Sequence, residues 1–136
     1  MENKDTKYFK DFFTDKPVEY ILNKPVEPEK IDKYLDNIKS YVSKIKDIIT
    51  TSQLRNIFSE VKKINAKKIP ELKMLRVRLA YVAGRSETTN KDKNKLIQDF
   101  YYNLDLLIKK VNKDNLENFK DFFEAIIAYH KYYGGK

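Results

Sequence analysis

The sequence contains no cysteine, one histidine, three glycines and four prolines in 136 residues. Without cysteine there is no disulfide scaffold, thiolate metal site or cysteine nucleophile, and the absence fits a reducing cytoplasm. A lone histidine leaves too few ligands for the usual zinc sites and no ordinary base beside a nucleophile. No glycine-rich phosphate loop is present. Asp114, Glu117, Asp121 and Glu124 are spaced as helix caps and surface ion pairs usually are. A non-enzyme without cofactor or metal is therefore expected. The longest apolar runs, such as "AIIAY" at 125–129, are too short to cross a bilayer, and the N-terminal "MENKDTKYFK" lacks the apolar stretch of a secretory signal. These features predict a cytoplasmic protein with no membrane partner.

Charge is abundant, and it is unevenly placed. The chain has 24 lysines but four arginines, and three of these fall within "LRVRLAYVAGR" at 75–85. Residues 50–85 hold nine basic side chains against Glu60 and Glu71, a net +7, whereas the other 100 residues hold 19 basic and 18 acidic. Nearly all of the overall +8 thus sits in one segment, and a local positive field attracts polyanions. Nucleic acid is the leading candidate, an acidic membrane surface the lesser one, and an acidic partner protein a further one.

With so few glycines and prolines, helical periodicity runs almost unbroken. Residues 1–29 read as an extended arm, because prolines at 17, 25 and 28 forbid a long helix. The arm's Tyr8, Phe9, Phe12 and Phe13 are expected to dock on the body or on a partner. Residues 30–136 read as a single helical-bundle domain. The first long helix carries Ile31, Tyr34, Leu35, Ile38, Val42, Ile45, Ile48 and Ile49. The second opens at a Thr51 or Ser52 cap and continues through Leu54, Ile57, Phe58, Val61 and Ile64. A third runs from Pro70 to a terminating Gly84, and its largely apolar circumference predicts a central position. After the polar "SETTNKD", a fourth carries apolar residues from Leu96 to Val111. In the fifth, "DNLE" offers Asp114 and Glu117 as a capping box, and the helix ends at Gly134. The fold expected is all-α, a compact bundle of about five helices with an extended N-terminal arm.

At about 100° per residue, Arg78 and Arg85 share a direction beside Tyr81, while Arg76 points toward Ala80 and Ala83. There, small side chains leave room for another chain. On the second helix, Arg55, Ser59 and Lys62 share a polar face next to the buried stripe. A guanidinium at such a boundary offers a planar fork of donors to a phosphate, which lysine cannot match. Surface arginines also pair with carboxylates, and Arg85 suits its helix's C-terminal dipole. The tail "AYHKYYGG" mixes aromatic and basic groups, including Lys131, that can stack on unpaired bases. Inward packing of Phe123, Ile126, Ile127, His130 and Tyr133 is the alternative. A helix-turn-helix regulator, with "NAKKI" as the turn, is a further reading, although the third helix looks too apolar for a major groove.

Three blocks, "TSQLRNIFSEV", "LRVRLAYVAGR" and "FKDFFEAIIAYHKYYGG", resemble in order the small helical subunit of the type III-A CRISPR-Cas effector, the Csm complex. The resemblance implies a non-catalytic subunit for antiviral defence. Several copies would stack along the duplex of guide RNA and target RNA, beside backbone and large subunits. Contact would run mainly through the sugar-phosphate backbone. The matching blocks contain Gln53, Arg55, Arg76, Arg78, Arg85 and Lys131, which together with Lys62 from the polar face of the second helix are the candidate RNA-binding residues.

Overall fold

A computed structural model describes residues 7–86 and 88–135, so the first six residues, Glu87 in the polar loop and Lys136 lie outside the described residues. Apolar side chains at three- and four-residue steps set the long helices. In α3 (Pro28–Ile45) they place Tyr34, Ile38, Tyr41, Val42 and Ile45 on one buried face. The other long helices are α4 (Thr51–Lys62), α5 (Ile69–Ser86), α6 (Lys91–Lys110) and α7 (Leu116–Tyr132). Among the described residues there is no strand. α7 lies against α3 and α4, and α5 lies against α4 and α6. The core gathers Leu54, Leu72, Leu104, Leu107, Phe119 and Phe123 between them.

The N-terminal arm carries two six-residue helices, α1 (Lys7–Phe12) and α2 (Pro17–Leu22). The arm was expected to be extended; its prolines do keep its helices short, and two of them mark starts, Pro17 opening α2 and Pro28 opening α3. The arm's aromatics dock on the body. Phe9 and Phe13 meet Tyr41 and Phe122 at ring-centroid distances of 4.8–6.2 Å, mostly edge to face. Burying each such ring is worth roughly 1.5–3 kcal/mol. Asp99 of α6, itself fully buried, accepts hydrogen bonds from the Tyr41 hydroxyl at 3.1 Å and the Phe9 N–H at 3.5 Å.

Several ends differ from the sequence expectation, each for a local reason. The cap of α4 is Thr50, one residue earlier than expected. Its hydroxyl accepts from the Gln53 N–H, and the Gln53 side chain accepts from the Thr50 N–H in a complete capping box. Thr51 is instead buried against His130. The capping box expected of Asp114 and Glu117 does not form. Asn112 and Asn115 close the turn on themselves by reciprocal side-chain-to-backbone bonds, so α7 starts at Leu116 without a side-chain cap. At the other end Gly134, with φ of 70°, ends α7 as expected, and the Gly134 and Gly135 N–H groups bond back to the carbonyls of Lys131 and His130.

Gly84 does not terminate α5, which continues to Ser86. A Cβ added there meets nothing within 4 Å. Gly84→Ala is therefore expected to stabilise the protein by about 0.5–1 kcal/mol, the usual helical penalty of glycine, read as a higher urea midpoint. Nor is α5 central. Leu72, Leu79 and Ala83 are its buried residues, while Met74, Val77 and Tyr81 are 68%, 67% and 64% exposed. Its apolar circumference is divided between the core and the outer surface.

Candidate nucleic-acid interface

The candidate cations occupy three different settings. Arg55 and Lys62 are exposed seven residues apart on the outer face of α4, with the Lys62 ammonium 5.8 Å from the Phe58 ring. Arg78 and Arg85 are exposed on α5, and the Arg85 guanidinium lies 5.7 Å from the Tyr81 ring. Arg76 faces α6. Its Nε donates to Asp105 Oδ1 at 2.8 Å and its Nη2 to Oδ2 at 3.3 Å, a two-point ion pair that raises its pKa. Of the two small residues on the side expected to admit another chain, Ala83 is buried within the bundle and Ala80 is exposed.

Gln53 is half-buried and structurally engaged, since besides capping α4 it donates from Nε2 to Ser86 Oγ at 3.4 Å. That bond fastens the first turn of α4 to the last turn of α5. Thr51 and His130 join the same turn of α4 to the end of α7, where Lys131 is exposed. Arg55, Arg85 and Lys131 therefore gather at one end of the bundle. His130 packs inward, as one of the two readings of the tail required; it is fully buried.

The opposite end carries a cluster that counting along the sequence missed. There the C-termini of α4 and α6 meet the N-termini of α5 and α7. Lys73 of α5 donates to the carbonyls of Ile108 and Lys109 at 3.1 and 2.8 Å, and Lys120 of α7 donates to the carbonyl of Lys62 at 3.3 Å. These two lysines satisfy helix C-terminal carbonyls. Burial, and then Arg76, lowers the pKa of Lys73. Around them Lys67, Lys68, Lys109, Lys110 and Lys113 are exposed. The last three belong to a stretch whose charge is balanced in sequence, so only the antiparallel path of the helices assembles them. Paired lysines at the ends of predicted helices were the available signal.

The molecule is thus an all-helical bundle with cationic ends and exposed arginines, and no group of three His, Cys, Asp or Glu able to hold a metal ion occurs among the described residues. No described helix is long and apolar enough to cross a membrane. The chain matches the Csm2 Type III-A family over residues 24–136, and it belongs to that family. It is 33% identical over 119 residues to a protein of Streptococcus thermophilus described as CRISPR system Cms protein Csm2, an alignment covering 77% of this chain and 94% of the relative. None of the solved structures matches it.

Proposed function

We propose that the chain is a non-catalytic structural subunit of a type III-A CRISPR ribonucleoprotein in the cytoplasm. In this reading it stacks along the duplex of guide and target RNA beside the backbone and large subunits. Family membership supports its place in the complex. The observation that carries the RNA reading is the exposure of Arg55, Lys62, Arg78 and Arg85 on the outer faces of α4 and α5. Arg76 is committed to Asp105 and Gln53 to the α4 cap, so both act as supports. Lys131 extends the cationic surface at the α7 end. Such groups hold phosphates without reading bases, which suits a subunit that must accept any guide sequence.

If about four phosphates are contacted, log affinity for a guide–target duplex is expected to fall with log salt at a slope of about −3.6. Arg55→Ala, Arg78→Ala and Arg85→Ala should each weaken binding on every sequence alike and make the slope shallower by about one. Fluorescence anisotropy over a salt series on several unrelated duplexes checks this. A flat salt dependence, or selection of one DNA operator over all RNA, would sink the reading. Single copies lack the avidity of an array, so the assembled complex is the more sensitive setting.

A further inference from the structure

We infer that the groove between the N-terminal arm and α6 docks a short extended segment of a partner protein, apolar at its centre and acidic at the end near Lys110. The groove encloses about 570 Å³, within the range of built ligand sites. Its walls are α1 and α2 on one side and α6 on the other, and both arm helices precede the residues matched to the family. The inference is independent of the RNA reading, whose exposed arginines lie on α4 and α5.

Val18 and Leu22 of α2 and Leu106 of α6 give the groove its apolar surface. Asn103 also lines it and is 1% exposed. Its Nδ2 donates to the Asp99 carbonyl at 2.7 Å, whereas its Oδ1 accepts from no described residue. A buried amide oxygen of this kind calls for a donor from the groove, and a peptide N–H supplies one. From Tyr102 to Lys110 the lining face of α6 rises about 12 Å, room for about four residues of extended chain. The two ends differ in charge. The Phe9 N–H bonds to Asp99, so the α1–α2 junction lies toward the middle of α6, and there Lys10 and Lys16 stand with Asp15 and Glu19, the last 4.0 Å from Lys16. The Leu22 carbonyl accepts from Asn118 of α7, so the other end lies where α6 gives way to α7. At that end Lys110 lines the groove, and the exposed Lys109 and Lys113 extend its positive field against Asp114. A carboxylate is favoured there and opposed at the junction. A phosphate chain would meet Asp15 and Glu19 along the rest of the groove, so the charge pattern fits a peptide rather than a nucleic acid.

Fluorescence anisotropy of a fluorescein-labelled peptide, GGLLDD, titrated with the full chain is the test, with circular dichroism to confirm that each variant remains folded. So short a segment binds weakly, with a Kd on the order of 100 μM expected, and GGSSDD and GGLLKK should each bind at least about tenfold less well. Lys110→Glu, a change at an exposed side chain, should weaken GGLLDD about tenfold and tighten GGLLKK by a similar factor. Leu106→Ser should weaken GGLLDD. In nuclear magnetic resonance spectra of the full chain, GGLLDD should shift the side-chain amide signals of Asn103. An absence of binding at about 1 mM peptide overturns the inference. So does binding of GGLLDD that Lys110→Glu leaves unchanged, or binding that leaves the Asn103 signals where they were. GGSSDD binding as tightly as GGLLDD and displaced by an RNA duplex would also overturn it, by assigning the groove to polyanions in general.

Discussion

Asp99→Ala is expected to lower the unfolding free energy by about 3 kcal/mol and to loosen the N-terminal helices from the bundle. The carboxylate is fully buried and joins three parts of the chain: its own α6, Tyr41 of α3, and the Phe9 N–H of α1. Removing it leaves two buried donors without an acceptor, at about 1–3 kcal/mol each. The Tyr41 hydroxyl cannot escape by ionising, because burial, the largest cause of its raised pKa, persists without the carboxylate. Asp99→Asn retains an acceptor oxygen and should lose less. Tyr41→Phe deletes the donor together with its need for a partner, and should cost about 1 kcal/mol. Urea denaturation gives the energies. Limited trypsin digestion reports the arm, with faster cleavage after the exposed Lys10 of α1 in Asp99→Ala. A change below about 0.5 kcal/mol, the level of an ordinary surface substitution, with an unchanged cleavage rate would contradict the role given to Asp99.

Why this carboxylate escaped the sequence reading is instructive. The five long helices were legible because each repeats apolar residues at helical spacing over three turns or more, a signal that survives whatever surrounds it. Phe9 and Phe13 were legible as docking residues for the same reason that their target was not. An aromatic cluster declares that it will be buried, whereas nothing local in "QDFYY" distinguishes Asp99 from the chain's other aspartates. Its burial depends on Tyr41 and Phe9, 58 and 90 residues away. Arg76 and Asp105 give the complementary case. Their 29-residue separation spans the α5–α6 turn, and only the pairing of those helices converts a candidate phosphate ligand into a structural ion pair. α5 was misplaced because a low contrast between its faces fits both a central helix and an outer helix with a second contact surface. The lysines at the α4–α6 end were hidden for a similar reason, since charge summed along the sequence ignores the reversals that bring distant ends together.

At the opposite end of the bundle, His130→Ala is expected to cost about 3 kcal/mol, more than any change to the glycines that follow it. The imidazole is fully buried, with Nε2 at 2.6 Å from the Ile49 carbonyl and Nδ1 at 3.0 Å from the Thr51 hydroxyl. A carbonyl only accepts, so Nε2 carries a proton and donates to Ile49, while the Thr51 hydroxyl lies between Nδ1 at 3.0 Å and the Gly135 carbonyl, to which it donates at 3.3 Å. Alanine would orphan the Ile49 carbonyl, leave the Thr51 hydroxyl only the Gly135 carbonyl, and leave a void where the α3–α4 junction, the first turn of α4 and the end of α7 meet. Gly135 lies directly over the ring: a Cβ on it would come within 3.0 Å of Cε1, Nδ1 and Nε2. With both nitrogens engaged the ring cannot move aside, so in Gly135→Ala the backbone must. That shift gives up the Gly135 N–H bond to the His130 carbonyl and the Thr51 hydroxyl bond to the Gly135 carbonyl, about 1 kcal/mol each. Thermal or chemical denaturation of the two variants separates a keystone from its cover. Equal losses would mean that the final glycines hold the bundle together as firmly as the histidine beneath them. The expected inequality would place the whole load on the imidazole, and with it the alignment of Arg55, Arg85 and Lys131 at that end.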